Sequence, residues 1–277
     1  MRDVPNRIIL LMTATITPRN CPDAQFDPME RRRRYLKAFN FYLGQLEKGI
    51  VDGIVFAENS AATIEDFRAA TPSRLADKVE FVCAPPEIFP ANLRKNNEFV
   101  LIDYVVDNSF LLRRNVSGFF KVTGRYYFRN IKSLVGDVRK VLMVQNGELG
   151  LYCDQRDHRL YSRLGLKRKE QDGDTRFFFC NISFWRNNFY GYFRQNPEWR
   201  RVEDVMFEVA VRHYHDKSCR FRFRHQPLIG GNQYSAGQGD GIICMGVRLP
   251  PRLFFAIYHI RWLIESILRK IVPGFWF

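Results

Sequence analysis

The chain has 277 residues, 46% of them hydrophobic, so it can form one large domain or two small ones with a core that needs neither disulfides nor metals. Its net charge of +14 and its pI near 9.7 indicate an anionic partner, and nucleic acid, acidic lipid and phosphorylated small molecules all meet that description. The six cysteines lack the spacing of a zinc finger or a Cys-x-x-Cys motif. No apolar run resembles a transmembrane helix or a signal peptide, so we expect a cytosolic protein with reduced thiols.

The first third of the sequence alternates short apolar runs with segments of helical periodicity. The elements are, in order, a strand at 7–12, a helix from Asp27-Pro28 to Gly49, a strand at 51–57, a helix that begins near Thr63 and a strand at 79–84. An aspartate followed by a proline is a typical helix start, because Asp caps the free amides and Pro fits the first turn. This order of strands and helices predicts a parallel sheet with right-handed crossovers.

The rest of the sequence is less regular, and residues 149–166 show no clear pattern. We predict, in order, a helix at 97–112, a strand at 119–127, a strand at 141–144, a charged loop at 167–174, a strand at 175–181, a helix at 199–215, an edge strand at 221–225 and a loop at 227–240. Neither an internal repeat nor a domain linker is visible. Residues 1–248 are therefore predicted to form one α/β domain, a mostly parallel mixed sheet flanked by helices.

The C-terminal segment, residues 249–277, differs in composition from the domain before it. Between positions 251 and 272, apolar side chains cover a broad helical face, charged residues interrupt any membrane-spanning run, and the chain ends in Phe-Trp-Phe. Such an amphipathic helix is suited to the interface of an anionic membrane, with its aromatic and basic groups at the level of the headgroups. The alternative is a final helix docked on the domain core. We expect the membrane interface.

A strand near the middle of the chain ends in polar residues. The apolar run that starts at Phe119 reaches Thr123-Gly124-Arg125. Glycine permits close backbone approach, and the planar arginine cation can bind a carboxylate or phosphate through two hydrogen bonds. Open parallel sheets bind ligands at the carboxyl ends of their strands, so this end is a candidate site, although a core strand with a salt-bridged arginine has the same pattern. The chain has neither a Gly-x-Gly-x-x-Gly motif nor a Walker loop, which argues against the usual NAD enzyme and the P-loop NTPase.

Four consecutive arginines, 31–34, follow the predicted start of the first long helix. The helix dipole disfavours cations in the first turn. The run is therefore either a solvated basic face or a contact with an anionic surface.

Two acidic pairs are candidates for chemistry. Asp172 and Asp174 flank a glycine with the spacing of an Asp-x-Asp pair, which can hold Mg²⁺ or Mn²⁺ against a diphosphate. This pair precedes a predicted strand instead of ending one, and such pairs also occur as surface charge. Glu203 and Asp204 lie near the start of a predicted helix, where they either cap the helix or act as a general base on an acceptor hydroxyl.

Six short motifs, taken in order, resemble those of a known enzyme family. They are Leu-Met-Thr-Ala-Thr-Ile at 11–16, Asp-Pro at 27–28 with Tyr35, Glu-Asn-Ser at 58–60, Lys-Val-Thr-Gly-Arg-Tyr at 121–126, Asp-Thr-Arg-Phe-Phe at 174–178 and Pro-Leu-Ile-Gly-Gly at 227–231. Their order and spacing resemble the glycosyltransferases of bacterial capsule and lipopolysaccharide gene clusters, which have a GT-A-like, Rossmann-like fold. The matches cover most of the chain.

This resemblance implies a nucleotide-sugar-dependent, hexosyltransferase-like enzyme that acts on a surface-polysaccharide or lipopolysaccharide acceptor. The acceptor would be a glycan or a lipid-linked glycan, and the enzyme would be cytoplasmic and peripheral on the inner face of the cytoplasmic membrane. By the same resemblance, Thr13, Thr15, Glu58 and Asn59 line the nucleotide pocket.

The resemblance also places Lys121, Thr123, Gly124 and Arg125 where related enzymes carry their Asp-x-Asp pair. This departure leaves the need for Mg²⁺ or Mn²⁺ open. It allows Lys121 or Arg125 to neutralise the leaving diphosphate instead, because electrostatic stabilisation of a leaving group is a sufficient catalytic device.

Two other functions are compatible with the sequence. A non-enzymatic nucleic-acid-binding α/β protein would explain the charge, but the basic residues are dispersed and no nucleic-acid-binding motif is visible. A phosphotransferase or nucleotidyltransferase could use the same sheet. The resemblance favours the glycosyltransferase, so we expect no nucleic-acid partner.

Overall fold

A computed structural model describes most of the chain. The described residues are 7–17, 27–89, 97–114, 116–145, 147–157, 171–195, 200–213, 218–225, 227–230, 242–244 and 247–249, with the single positions 260, 263, 264, 267 and 271. Within these residues, one central sheet carries helices on both of its faces.

The central sheet has seven strands. In chain order, the strands of the described residues are β1 (Ile8–Ala14), β2 (Gly53–Glu58), β3 (Val79–Cys83), β4 (Gly118–Thr123), β5 (Tyr127–Phe128), β6 (Leu151–Asp157), β7 (Gln171–Cys180), β8 (Cys219–Arg220), β9 (Ile229–Gly230), β10 (Ile242–Cys244) and β11 (Val247–Leu249). The sheet order is β3-β2-β1-β4-β7-β6-β8, and two separate ladders pair β5 with β9 and β10 with β11. β3, β2, β1 and β4 are parallel to one another, whereas β7 runs antiparallel to both β4 and β6.

The strand order reverses at β1. The chain passes from β1 outward to β2 and β3, and then returns to the other side of β1 as β4. The connections on the two sides of β1 leave in opposite directions, which opens a crevice outside the carboxyl ends of β1 and β4. Thr13 and Thr123 are partners in the register at this switch point. β4, the strand that leads into Thr-Gly-Arg, is the middle strand of the seven.

Helices cover both faces of the sheet. The described helices are α1 (Pro28–Glu47), α2 (Glu65–Ala70), α3 (Asn97–Asn108), α4 (Phe110–Arg113), α5 (Ile131–Val144), α6 (Ile182–Asn188), α7 (Tyr192–Gln195) and α8 (Val202–Arg212). α1 and α5 share a core with Met12 and Phe120 on one face, and α3, α6 and α8 share a core with Leu11 and Phe119 on the other. Burial on both sides explains why every residue of β1 and β2 is buried. The predicted α/β class, with a mostly parallel mixed sheet flanked by helices, is confirmed.

The first long helix begins and ends as predicted. The Asp27 carboxylate accepts a hydrogen bond from the amide of Met29 at 3.0 Å, and Gly49, with φ +66°, follows the last turn of α1. The buried face of α1 is formed by Tyr35, Ala38, Phe39, Tyr42, Leu43 and Leu46. Their three- and four-residue spacing is the periodicity visible in the sequence.

The strand predicted at 141–144 is wrong, because these residues form the last turn of α5. The buried positions of α5 are Ile131, Leu134, Val135, Asp137, Val138 and Leu142, which follow helical spacing over fourteen residues. A window of four apolar residues is too short to distinguish a strand from one turn of a helix.

The edge strand predicted at 221–225 is also displaced. The edge strand is β8, two residues upstream, which pairs in parallel with β6. The Phe223 amide donates to Asp154 Oδ1 at 2.8 Å, and its ring is buried against Tyr152 and Phe177. The alternation of Phe and Arg therefore reflects one buried ring between a half-buried and an exposed arginine, and not a strand.

The C-terminal segment lies mostly outside the described residues, as do 231–240 of the predicted long loop. The five described positions of the segment, Ile260, Leu263, Ile264, Ile267 and Ile271, are helical, and each is between 47% and 69% exposed. Across the described part of the chain, the length and hydropathy that a membrane span needs occur together in none of the helices.

Candidate functional site

The carboxyl ends of β1 and β4 meet a carboxylate from α3. Glu98 lies in the first turn of α3, and its Oε1 accepts hydrogen bonds from Thr13 Oγ1 at 2.5 Å and Thr123 Oγ1 at 3.3 Å. The Lys121 ammonium lies 2.6 Å from the same oxygen. The Glu98 side chain is 26% exposed, and its Oε2 has no hydrogen-bond partner within the described ranges. The switch point thus carries a carboxylate with one oxygen held and the other available.

Lys121 is fully buried beside this carboxylate. Its Nζ donates to Thr175 O at 2.5 Å and to Thr123 Oγ1 at 3.0 Å, in addition to its contact with Glu98. An ammonium has three hydrogens, so all of them are used inside the protein. Burial lowers the pKa of Lys121, and the charge of Glu98 opposes that shift. Lys121 was expected to lie against a leaving diphosphate, whereas its ammonium points inward, towards Glu98 and β7.

Gly124 and Arg125 form the turn that follows β4. The Gly124 amide donates to Thr13 O at 2.8 Å, and a Cβ at this position would lie 2.8 Å from that oxygen and 3.1 Å from the Tyr35 ring. Only glycine allows this close approach. The Arg125 guanidinium lies over the Tyr126 ring, 4.9 Å from its centroid, and donates to Tyr126 Oη at 3.2 Å. No salt bridge to Arg125 occurs among the residues described, so the salt-bridged alternative is not observed there.

Arg31 brings a second guanidinium to the same edge. From the start of α1, its Nε donates to Thr15 O at 2.5 Å and its Nη2 donates to Tyr35 Oη at 3.3 Å. Tyr35 Oη in turn accepts from the Thr15 amide at 3.2 Å, and Arg125 interacts electrostatically with the same tyrosine. Arg31 therefore contacts Tyr35, and Arg125 interacts with it electrostatically, beside the end of β1; this arrangement is suited to an anion with several oxygens.

The other arginines of the run 31–34 form surface ion pairs. Arg32 pairs with Asp66, and Arg33 and Arg34 both pair with Glu30. The solvated basic face therefore describes these three, whereas Arg31 faces the strand ends.

Glu58 organises the loop that follows β2. Its fully buried carboxylate accepts hydrogen bonds from the amides of Ile16 at 3.2 Å, Ser60 at 2.9 Å and Ala62 at 3.3 Å, and from the Ser60 hydroxyl. Glu58 was predicted to line a nucleotide pocket. Its observed contacts are with three backbone amides and the Ser60 hydroxyl, so Glu58 fixes the shape of this loop, and its role in a nucleotide pocket stays a prediction.

Asn59 is the loop residue with an unused acceptor. Its amide donates to Ala14 O at 3.2 Å. Its side-chain Oδ1 is buried and has no hydrogen-bond partner in the described part of the chain. Because an unpaired buried acceptor is unfavourable, this oxygen is suited to a donor supplied by a ligand.

The Asp-x-Asp pair lies inside β7, which begins at Gln171 and not at Thr175 as predicted. The strand extends further because its first half continues to pair with β6 beyond the end of β4. Both oxygens of Asp174 are engaged by Arg176, at 2.8 Å and 2.5 Å, and the Asp172 side chain is outside the described part. Across the residues described, no group of three His, Cys, Asp or Glu side chains is placed to hold a metal ion. Arg176 occupies the Asp174 carboxylate, and the predicted Mg²⁺ or Mn²⁺ site at Asp172 and Asp174 stays a prediction.

Glu203 and Asp204 lie in the first turn of α8, where the helix dipole favours acids. The Arg201 side chain lies 3.5 Å from Glu203 and 3.4 Å from Asp204. These contacts are ion pairs with Arg201 and not capping hydrogen bonds, and the predicted role as a general base stays a prediction.

Five of the twelve predicted site residues line the switch point, together with two residues that were not predicted for the site. The predicted ones are Thr13, Thr15, Thr123, Gly124 and Arg125. The two additions are Arg31 and Glu98. Arg31 had a signal, since it lies four residues before Tyr35 and therefore on the same helix face. Glu98 had none, because its partner Thr13 is 85 positions away in the chain.

Comparisons with known proteins find structural likenesses only. No protein-family model matches the chain, and no curated protein matches it in sequence. Mouse xyloside xylosyltransferase 1 in its apo form is similar at 9% identity and a TM-score of 0.39, over 78% of this chain and 84% of that one. An active-site mutant of LgtC is similar at 10% identity and a TM-score of 0.40, over 73% and 68%. A CMP:2-keto-3-deoxy-manno-octonic acid synthetase complexed with CTP is similar at 11% identity and a TM-score of 0.38, over 78% and 89%. Similarity at this level assigns no activity.

Proposed function

We propose that the protein is a glycosyltransferase with a GT-A-like fold that transfers a sugar from a nucleotide-sugar donor to a surface-polysaccharide or lipopolysaccharide acceptor. The observation that carries the proposal is the pair of guanidinium groups, Arg31 and Arg125, around Tyr35 at the switch point of the sheet. The crevice outside the carboxyl ends of parallel strands is where such sheets bind nucleotides, and two arginines supply the charge that a diphosphate requires.

The reaction needs charge stabilisation more than covalent help from the protein. The bond between the sugar C1 and the diphosphate oxygen breaks, the acceptor hydroxyl oxygen bonds to C1, and the hydroxyl proton passes to a base. Negative charge develops on the leaving nucleoside diphosphate, and fixed arginines near that charge lower the barrier. In this proposal Arg125 and Arg31 have that role, Asn59 binds a donor group of the nucleotide, and Glu203 or Asp204 is the candidate base.

The proposal is tested first by ligand binding. UDP-, GDP-, dTDP- and CMP-sugars are screened by thermal shift, each with and without Mn²⁺, because a ligand that binds the native state raises the melting temperature by mass action. At least one nucleotide sugar is expected to raise it. A panel in which no nucleotide sugar has an effect, while an oligonucleotide binds in a salt-sensitive manner, would contradict the proposal.

The second test is the Arg125→Ala variant. Removing one charged donor from a transition-state site is expected to reduce transfer by about 100-fold or more, with the fold intact. Arg74→Ala is the matched control, because Arg74 loses the same charge but is exposed and pairs with Glu47 at the far end of α1. Full transfer activity in Arg125→Ala would refute the assigned role.

The C-terminal segment supports a peripheral membrane location, on the cytoplasmic face where a lipid-linked acceptor would be found. The five described side chains between Ile260 and Ile271 are exposed, apolar and spaced along one helical face, and residues 251–277 contain four Arg or Lys and one Glu. Apolar area with basic flanks is the composition of a helix that lies on anionic lipid.

The membrane location is tested with the full-length chain. Ile264→Asp with Ile267→Asp should abolish sedimentation with phosphatidylglycerol-containing vesicles, and Met143→Asp, an exposed apolar position on α5, should not. Equal sedimentation of all three proteins would rule out the segment as the anchor.

A further inference from the structure

The Glu98 side chain is partly exposed, yet one of its two carboxylate oxygens is held by several donors. Its Oε1 contacts three donors, from the end of β1, the end of β4 and the buried lysine of β4, within 2.5 to 3.3 Å. Its Oε2 has no partner in the part of the chain that the structure describes, and the side chain is partly exposed. The direction in which Oε2 accepts a hydrogen bond is therefore fixed by the sheet itself.

The buried lysine acts on this carboxylate and not on solvent. All three ammonium hydrogens of Lys121 are used, by Glu98, by Thr123 and by the Thr175 carbonyl. Burying an ammonium is unfavourable unless it is paired and hydrogen-bonded, and here Glu98 supplies the pairing. Lys121 is therefore a positioning residue for Glu98.

A fixed carboxylate oxygen at a ligand crevice selects for hydroxyl donors. Phosphate oxygens carry no hydrogen to donate and repel a carboxylate, whereas sugar hydroxyls donate readily to it. The guanidinium groups that would attract the phosphates are supplied by α1 and by the turn after β4, and Arg125 interacts electrostatically with Glu98. The same edge thus offers an oxygen that accepts hydrogen bonds and cations that donate them.

We propose that Glu98 binds a sugar-ring hydroxyl of the donor through Oε2, with Lys121, Thr13 and Thr123 holding Oε1. This rests on the proposed function. The hydroxyl belongs either to the ribose of the nucleotide or to the sugar that is transferred, and both have the same hydrogen-bond chemistry.

The test uses the full-length chain, the Glu98→Gln variant and the nucleotide sugar from the UDP, GDP, dTDP and CMP panel that stabilises the wild type most. Affinities for this nucleotide sugar and for its free nucleotide are measured by calorimetry. Loss of a hydrogen bond to a charged group is expected to weaken nucleotide-sugar binding by about 10- to 100-fold. Glu47→Gln, an exposed acid at the end of α1, is the matched control with no expected change.

The pattern of the loss identifies the hydroxyl. Weakened binding of the nucleotide sugar alone assigns Oε2 to the transferred sugar, and equal weakening of both ligands assigns it to the ribose. Unchanged affinity for both ligands in Glu98→Gln overturns this inference and leaves the proposed function standing. Failure of the wild type to bind any nucleotide sugar overturns both.

A second variant keeps the test valid if Glu98→Gln does not fold. Thr13→Val preserves the volume of the side chain and removes the hydroxyl that lies 2.5 Å from Oε1. It should weaken the same ligands as Glu98→Gln by about 3- to 10-fold, because Oε2 loses part of its positioning. Unchanged affinity in Thr13→Val, with a normal melting temperature, would likewise overturn the role of Oε1 in positioning.

Discussion

The central sheet has a parallel half, formed by β3, β2, β1 and β4, and an antiparallel half, formed by β7 and β6. The buried apolar strands of the parallel half end in polar side chains, whereas aromatic rings of the antiparallel half pack into the core beside the sheet. Phe177 of β7 stacks on Phe120 with centroids 4.9 Å apart and contacts Phe128 and Phe223 at 4.3 and 5.3 Å. The parallel half also has an aromatic cluster, in which Phe56 of β2 contacts Phe39, Phe67 and Phe81, but its carboxyl edge at β1 and β4 places Thr13 and Thr123 against Glu98.

The difference follows from strand direction. Parallel strands bring all their carboxyl ends to one edge, so several short polar sequences meet there. An antiparallel neighbour reverses direction, so its residues at that edge come from the start of a strand and serve packing or pairing instead. Lys121 lies at the boundary, since it belongs to β4 and donates to the Thr175 carbonyl of β7. We therefore expect substitutions in the antiparallel half to reduce stability, and substitutions at the parallel edge to reduce ligand binding.

The largest expected effect is that of Phe177→Ala. The ring is 2% exposed, and its removal from a packed aromatic cluster should lower the free energy of unfolding by about 3–5 kcal/mol. Denaturant unfolding measures the change, and Met143→Ala, 60% exposed on α5, should change stability by less than about 0.5 kcal/mol. If Phe177→Ala lowers the free energy of unfolding by less than about 1 kcal/mol, the rings of the antiparallel half do not have the stabilising role assigned to them.

The next effect depends on pH and concerns Asp103, on the same helix as Glu98. Asp103 is 3% exposed, and burial raises its pKa to about 6, although hydrogen bonds from the Gly191 amide and Trp185 Nε1, both 2.9 Å, favour the charged form. Because the pKa of Asp103 is higher in the folded than in the unfolded protein, the folded protein holds this proton more tightly. Ionisation of Asp103 therefore reduces stability progressively as the pH rises from about 4 to 6.

Asp103→Asn isolates this dependence, because an amide does not titrate. Relative to the wild type, the variant should gain about 3 kcal/mol of stability between pH 4 and pH 7, the value of a shift of roughly two pKa units. Unfolding of both proteins by denaturant at pH 4, 5, 6 and 7 measures the difference. A difference that is constant over this range would refute the raised pKa of Asp103.

A smaller effect is expected for Glu58→Gln. This residue lies at the parallel edge, and we expect its substitution to reduce both stability and ligand binding. An amide nitrogen would replace one oxygen that accepts backbone hydrogen bonds, so stability should fall by about 1–3 kcal/mol. Because the loop that carries Asn59 would also shift, nucleotide-sugar affinity should fall with it. If the variant loses stability but keeps full affinity, the loop that carries Asn59 does not contribute to the binding site.

The smallest effect is expected for Arg32→Ala. The pair with Asp66 is bidentate at 2.7 and 2.5 Å but partly exposed, so its loss should reduce stability by about 0.5 kcal/mol and leave ligand binding unchanged. Arg31→Ala, one residue away, should instead weaken nucleotide-sugar binding. Equal affinity of the two variants would contradict the distinction between Arg31 and the surface pairs.

The sequence predicts the parallel half well because its signals are local. Continuous apolar runs mark β1 to β4, and the Asp27-Pro28 start and Gly49 mark the ends of α1. The antiparallel half is harder to predict, since β6 has no regular pattern and β7 starts among charged residues whose pairing is set by β6. Strand propensity depends on such neighbours more than on the residues themselves.

The candidate site was predictable only where its residues end a recognisable strand. Thr13 and Thr123 to Arg125 follow apolar runs and can be identified from position alone. Glu98 lies in the first turn of α3, and its contacts with Thr13 and Thr123 span 85 and 25 positions of sequence. Lys121 was expected to face a diphosphate because its residue type suggests a solvent-facing cation, whereas the alternation of β4 turns its ammonium inward.

The contact between the Gly124 amide and Thr13 O, with the Tyr35 ring packed beside it, joins the ends of β1 and β4 to α1 at one point. The residues proposed to bind the nucleotide and those proposed to bind the diphosphate therefore cannot separate without breaking this hydrogen bond. A donor would meet an edge that is preorganised, so little conformational entropy is lost on binding at this place. Adaptation to different sugars would then come from loops that are not tied to this junction.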